Sequence, residues 1–572
     1  MAIYRSDQAV VTFAAEAALG GYQERASSCT TGTGTGALTS AHEAGATVIS
    51  VDNGSGSSIH GNFAANAFLS IGSNVTNMEL RKVISRSTDG LTLYLDTPTA
   101  FYHPDNAVVQ LVTATADTDT DKFITYIPGV YDTVTTPDMT PTIEPRYFLG
   151  TGAKRNFTAA YKGTQAYNGS IPSFILLNAA PLRFPLGTMT TSPSASVGTI
   201  TLVNDAKKGD TFIHLDGTDR GDVVAGDYLE ISGEAGALGG GANKEVVRVL
   251  SETGTTTIIA QLATPLRFDH IDDSDINRVV HSSSIVYTHT ISESNVLDSI
   301  SMNVHMRDSG ETAANDFDRR FYGGKVGAAT ISAEEGGLLV MGWDTVPFMG
   351  GVHNQKLDPN NSNSVTPFHT ITKTIGADTI GARTGTSSAT TFPTSEPYYF
   401  SQGTVSMFGT EFARIRNFSI SINNNVEPRY YIERRGDSKH RGPSDIVEMR
   451  REYTMTATIA LPDSAAAATS NTTSLFKQLM AEGDYGVGMR GFDIRMTFTR
   501  GTNDTITIDI PDDGAATAPS GSSGAETGLN AQGAYLTEAP HPIDGSNPYE
   551  VSASLIFRSM KIVIADNEPL YP

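Results

Sequence analysis

The chain has 572 residues, a net charge of −22, 55 glycines and only 8% aromatic residues. It is too long for one hydrophobic core and is sized for about three to five domains rich in strands and turns. So large an acidic excess excludes a protein that grips nucleic acid by its phosphates, though not one through which nucleic acid passes. The single cysteine, Cys29, excludes an intrachain disulfide framework and a multi-cysteine metal site.

Residues 1–34 read as an N-terminal segment. Met1-Ala2-Ile3-Tyr4-Arg5-Ser6-Asp7 lacks a basic stretch followed by an apolar run, so no secretory signal is expected. No stretch reaches the roughly 18 apolar residues of a membrane span, and the chain reads as soluble. Gly32-Thr33-Gly34-Thr35-Gly36-Ala37 lacks the strand-then-helix frame and the lysine of a phosphate loop, so a flexible loop is expected there.

Residues 35–115 alternate apolar and polar side chains in short runs broken by Gly, Asn and Asp, the pattern of a small β-barrel or β-sandwich. The pattern returns at 198–282. Ala46–Asp52 parallels Asp210–Asp216, and Phe68–Ile71 parallels Tyr228–Ile231. Leu80–Ile84 parallels Lys244–Val249, and Pro98–Phe101 parallels Pro265–Phe268. Each copy closes on a histidine-bearing turn, His103-Pro104-Asp105 or Asp269-His270-Ile271-Asp272-Asp273. These are two related accessory modules, the second inserted into a larger unit.

Between them, Asp117, Asp119 and Asp121 imitate the start of a calcium loop. Lys122 stands where glycine is required and Pro128 where glutamate is, so this is read as a surface acidic linker. Residues 120–197 with 283–350 form a first larger β unit, 351–394 a long polar arm, and 395–572 a second larger unit. Both larger units carry one tetrapeptide: Glu144-Pro145-Arg146-Tyr147 recurs as Glu427-Pro428-Arg429-Tyr430, each before a basic, glycine-bearing turn. Strands are predicted over Tyr453–Leu461 and Gly491–Phe498, and one short helix over Ser474–Glu482, where apolar residues fall three and four apart before Gly483. A second polar stretch spans 512–534.

No catalytic, cofactor-binding or metal-ligating residue emerges. Gly236–Gly241 reads as a loop, and His281 and His289 as structural histidines without ligand-spaced partners. Arg220-Gly221-Asp222 and Arg435-Gly436-Asp437 read as ordinary turns, and Glu334-Glu335-Gly336-Gly337 as a hairpin turn, not a paired-carboxylate site. The one tryptophan, Trp343, falls in a predicted core strand, which counts against sugar stacking by the modules.

Several segments resemble the tail tube proteins of long-tailed, siphovirus-like bacteriophages. These are Arg320–Gly337, Phe400–Glu411, Phe418–Tyr431, Ile564–Pro572 and Tyr287–Glu293, within a coverage of 120–190, 283–350 and 395–572. The resemblance implies β-sandwich units flanked by a helix, whose sheets join around a lumen into rings that stack through loops and arms. It implies no enzyme activity and no cofactor. It also implies an acidic inner wall, and a structural place in the virion tail after assembly in the host cytoplasm. The implied partners are other copies of the chain, the tape-measure protein and genomic DNA in the lumen, and the tail terminator and tail-tip proteins. Rings of this family have sixfold or pseudo-sixfold symmetry, so a chain with a duplicated tube unit would close one with three copies, the alternative being a hexamer. Segment 351–396 is the candidate ring-linking arm. Two other readings of the sequence remain: another β-rich virion component, such as a capsid decoration or baseplate protein, and a carbohydrate-binding adhesin.

Overall fold

In the computed structural model the described residues are 9–19, 30–52, 63–65, 67–72, 78–95, 98–114, 129–137, 139–147, 157, 159–178, 180–216, 223–232, 243–254, 257–306, 317–353, 396–407, 410–411, 415–432, 442–460, 494–510, 534–538 and 550–569. Cys29, the aspartates 117–121, the arm 354–394, the expected helix 474–482 and both Arg-Gly-Asp turns lie outside them.

Strand β1 (Ala9–Ala15) leads into β2 (Thr30–Ala37), β3 (Val48–Ser50), β4 (Phe68–Ile71), β5 (Glu79–Arg86), β6 (Thr92–Leu95) and β7 (Val108–Ala114). There follow β8 (Gly129–Tyr131), β9 (Met139–Arg146), the long β10 (Ala159–Leu176), helix α1 (Arg183–Leu186) and β11 (Gly187–Pro193). Next come β12 (Thr199–Thr201), β13 (Phe212–Asp216), β14 (Tyr228–Ile231), β15 (Glu245–Thr253), β16 (Thr257–Leu262) and β17 (Asp275–Val279). The middle of the chain holds β18 (Tyr287–Glu293), β19 (Ile300–Met306), β20 (Phe317–Gly324), β21 (Ala328–Glu334), β22 (Val340–Pro347) and β23 (Gly350–His353). Then come β24 (Gly403–Met407), β25 (Thr410–Glu411), β26 (Ile415–Asn423), β27 (Glu427–Arg429), β28 (Asp445–Val447) and β29 (Glu452–Ala460). The last are β30 (Ile494–Thr499), β31 (Thr505–Ile510), β32 (Ala534–Glu538), β33 (Glu550–Phe557) and β34 (Lys561–Asp566). The protein is mainly β.

Two six-stranded sheets, β2-β7-β4-β5-β6-β3 and β12-β17-β14-β15-β16-β13, have the same strand order. Bridges between Leu38 and Val51, and between Leu202 and Leu215, bring the two ends of each sheet together. Each encloses its own apolar core, with Leu69, Ile71, Val83 and Leu93 in the first and Leu229, Ile231, Val247 and Ile258 in the second. The glycine run 32–37, expected as a loop, belongs to β2, where Thr35, Gly36 and Ala37 pair with β7 and residues 32–34 fall at a register shift. Its alternating threonines favour extension enough to offset the glycines.

The other described residues form three sheets around one larger core, with a separate two-stranded sheet, β27-β28. A nine-stranded sheet runs β32-β33-β29-β26-β21-β22-β10-β8, with β9 hanging off β10. Against it lie a four-stranded sheet, β1-β19-β20-β23, and a seven-stranded one, β11-β18-β34-β31-β30-β24-β25. Period-two burial builds this: β29 buries Tyr453, Met455, Ala457 and Ile459 and turns Glu452, Thr454 and Thr456 outward. Opposite residues continue from strand to strand as a single apolar row, Leu536, Leu555, Met455, Ile420, Ile331, Met341, Phe174 and Tyr131. Trp343 is wholly buried, with Phe13, Phe174 and Phe184 set edge-on to it at 5.1, 5.8 and 5.7 Å.

Strand β1, within the stretch 1–34 read as an N-terminal segment, pairs with β19 from Ala9↔Met306 to Ala15↔Ile300. Its Val11, Phe13 and Ala15 supply apolar side chains to the core, which is why it is held. At the hairpin between β21 and β22, Gly336 has φ +74° and the Gly337 N–H donates to the Glu334 carbonyl at 2.9 Å, so Glu334 and Glu335 stand in a turn.

Candidate assembly surfaces

The eight-strand main path of the nine-stranded sheet is two four-stranded copies joined edge to edge. In chain order β8, β10, β21 and β22 take spatial order β21-β22-β10-β8, and β26, β29, β32 and β33 take the same order as β32-β33-β29-β26. The facing layers repeat too, since β1-β19-β20-β23 matches β24-β30-β31-β34. The joint is the pairing of β26 with β21, from Ala328↔Asn423 to Glu334↔Asn417. Beyond it the main path ends on β8 at one side and β32 at the other. These ends are the same two kinds of edge that meet at the internal joint. Both six-stranded sheets interrupt the first copy, between β1 and β8 and between β11 and β18; in the second, β24 and β26 are separated only by residues 408–414.

A polar network locks the joint. Asn424, buried, donates from Nδ2 to the carbonyls of Pro185 (3.0 Å) and Val326 (2.9 Å). The Arg451 guanidinium donates to Asn424 Oδ1 (2.6 Å) and to the carbonyls of Ser294 (3.0 Å) and Leu186 (3.3 Å). Glu293 accepts from the Tyr453 hydroxyl (2.7 Å) and the Met560 N–H (3.0 Å). Burial, reinforced by the Glu293 charge, pushes the Tyr453 hydroxyl far up, so it remains a donor. Lys325, also buried, donates to Glu448 (2.7 Å) and to the Ile446 carbonyl (2.9 Å). On the outer layer β18 pairs with β34, and His289 sits buried between Thr191 (2.9 Å) and the Glu568 carbonyl (2.9 Å). It is a hydrogen-bonded structural histidine.

The face of the nine-stranded sheet turned away from the core is lined by small polar groups. Rows across the strands read Thr330, Ser421, Thr454 and Ile556, then Ser332, Ser419, Thr456 and Ser554. On the same face of β21, β22, β29 and β33 the ionisable side chains are Glu334, Asp344, Glu452 and Glu550, all acidic. Such a face offers hydroxyls and negative charge, and the cation beside it, Arg416 of β26, is already paired with Glu335 (3.3 Å) and Glu550 (3.0 Å).

The repeated tetrapeptide lies on two neighbouring hairpins. In β9 the Arg146 side chain pairs with Glu144 at 2.6 Å, and in β27 Arg429 pairs with Glu427 at 2.7 Å. Residues two apart on a strand share a face, so each strand neutralises its own charges. Among the described residues β9 pairs with β10 alone and β27 with β28 alone. Pro145 and Pro428 sit on these strands, where proline interrupts the row of N–H donors a further strand would need. The Tyr430 hydroxyl donates to the Gln165 carbonyl of β10 at 3.1 Å, which sets the hairpins side by side.

The six-stranded sheets hold the sharpest ionic chemistry, and it is closed. Glu79, fully buried, meets His103 Nε2 and the Arg81 guanidinium, each at 2.5 Å, and accepts the Ala100 N–H at 2.8 Å. In the second sheet Glu245 meets His270 Nε2 at 2.9 Å and accepts the N–H groups of Arg267 and Phe268. These pairs pin the histidine turns to the sheet. The repeat itself carried the signal, because each glutamate precedes its histidine by 24 or 25 residues at matching points of the two copies. Among the described residues no group of three or more His, Cys, Asp or Glu is arranged to hold a metal.

A family profile described as phage tail tube protein matches residues 90–546, well over half of the chain. The chain belongs to the phage tail tube protein family. Membership makes it a structural component of a phage tail, from a family without enzymatic activity. No curated protein matches it. The match spans the internal joint, both tetrapeptide hairpins and all of the second six-stranded sheet.

Proposed function

We propose that the protein forms the conduit of the tail: three copies close a ring of six tube units, and stacked rings enclose the DNA during ejection. The division underlying this is two tube-type units, strands β1, β8–β11 and β18–β23 and strands β24–β34, with two accessory modules inserted into the first. The observation that carries it is the internal joint, where an edge of the β26 type already pairs with one of the β21 type. Strand β8 of one copy meeting β32 of the next repeats that joint at every chain boundary. The ring contact is then heterologous and closes because the rotation closes. Closure also removes the exposed sheet edges that would otherwise invite uncontrolled pairing.

Three copies of an eight-strand path make a barrel of twenty-four strands. Its inner wall is the hydroxyl face with Glu334, Asp344, Glu452 and Glu550, along which a phosphate backbone slides without adhering. The tape-measure protein fills the same lumen before DNA does, and terminator and tip proteins cap the two ends. Negative-stain imaging of purified protein, with native mass measurement of single rings, tests this. Hollow rings of three chains are expected; rings of six chains would overturn the stoichiometry, and discrete oligomers without a lumen would overturn the function.

A further inference from the structure

We propose that a pit between the second six-stranded sheet, helix α1 and the end of β1 binds one small monovalent anion, for which chloride is the probe. The site is independent of how rings form. Arg183 is the first residue of α1 and is 2% exposed. Its Nε–H donates to Asp298 Oδ2 at 2.5 Å, and its guanidinium carbon lies 5.3 Å from the centre of the Phe184 ring. Nη1, on the other side of the guanidinium from that N–H, is buried and has no hydrogen-bond partner among the described residues. A buried donor on a charged group is costly to leave unmatched. Arg183 lines a pit of about 20 Å³, room for one small occupant.

Charge and size choose that occupant. Lys208, just before β13, and Arg267, beyond β16, line the pit with Arg183, and so do Glu16 and Asp298. Three cations therefore meet two carboxylates, and both carboxylates already accept hydrogen bonds. Asp298 accepts from Arg183, and Glu16 accepts the Gly323 N–H at 2.9 Å. A water would answer Nη1 and leave the positive excess, which is expensive away from bulk solvent. An anion answers both. A divalent anion would set its second charge against Glu16 and Asp298, so the fit is to a monovalent one. A wider cavity of about 360 Å³ shares Glu16, Lys208, Arg267 and Asp298 with the pit and gives an ion its way in. Because the pit takes its walls from three elements, a bound ion ties the second sheet to α1 and β1 and stabilises their packing.

The test adds sodium chloride to the full-length protein at fixed ionic strength, with sodium gluconate as the balance because the sugar-acid body does not fit the pit. Broadening of the chloride magnetic resonance reads binding. Amide exchange at Glu16, Leu266 and Arg267, whose N–H groups are hydrogen-bonded in the pit walls, reads its effect. Saturable broadening and slower exchange at these amides are expected. Lys208→Ala, a change at an exposed side chain, should need about tenfold more chloride for the same protection. Arg183→Gln should abolish both responses; where circular dichroism shows that variant unfolded, Lys208→Ala decides alone. Identical exchange in chloride and gluconate would overturn the proposal and leave the pit to water. So would an unchanged chloride dependence in Lys208→Ala, which would mark a general effect of salt.

Discussion

The buried glutamates at the histidine turns show how one side chain fixes a module. Burial alone would raise the Glu79 carboxyl, but Arg81, the hydrogen bond from His103 and the Ala100 N–H outweigh it and hold it below the usual range. A carboxylate depressed in the folded state adds stability above its unfolded value of about 4.5, and loses it as pH falls through the folded value. The first six-stranded sheet should therefore open on acidification below about pH 4.5, detectable as loss of amide-exchange protection over residues 79–103. Glu79→Ala should destabilise the same sheet by about 3–5 kcal/mol, because Arg81 then lies buried beside an empty position. Urea unfolding followed by that exchange checks it. Nothing in the periodicity of a strand announces such a pair. His103 and His270 looked like parts of turns, and only the equivalence of the two copies sets Glu79 and Glu245 beside them.

At the scale of elements, the alternating runs were legible wherever one face is buried, as in β29 and β30. The fold class followed from them, and so did the placing of Trp343 in a core strand. What could not be read was pairing between distant strands. Strand β26 meets β29 of its own unit on one side but β21 of the other unit on the second, and β18 reaches β34 across more than 270 residues. Those choices are made by core packing and by the network around Arg451, neither of which leaves a local pattern. Strand β1 was missed for a related reason: a short apolar run has no strand signature until β19 is beside it. The network gives a direct prediction. Arg451→Ala removes the guanidinium donor from Asn424 Oδ1 and the Ser294 carbonyl and leaves the Leu186 carbonyl with the Ser294 N–H alone, and should cost about 2–4 kcal/mol. Asn424→Ala should be strongly non-additive with it in a double-mutant cycle of chemical denaturation, because both substitutions dismantle one network. Equal and additive losses would mean that the two side chains act separately and that apolar packing alone holds the joint.

For the whole molecule the question is why a tube protein carries a net charge of −22. Charge of one sign repels neighbouring copies, so it persists only where it serves a purpose or where contacts are shielded from it. In the proposed tube the four carboxylates of the hydroxyl face would supply such a purpose: over a Debye length of about 8 Å at physiological salt they would repel a polyanion moving past them. Reversing them tests this. A variant with Glu334→Lys, Asp344→Lys, Glu452→Lys and Glu550→Lys should still assemble, because these side chains point away from the core. It should retain double-stranded DNA at low salt, where the parent protein does not. Each phosphate neutralised should steepen the dependence of log K on log salt by about 0.9. Co-sedimentation of assembled tubes with DNA across a salt series reads both the retention and the slope. If the variant binds no more DNA than the parent, that face does not line the channel, and the conduit must be sought on another surface of the ring.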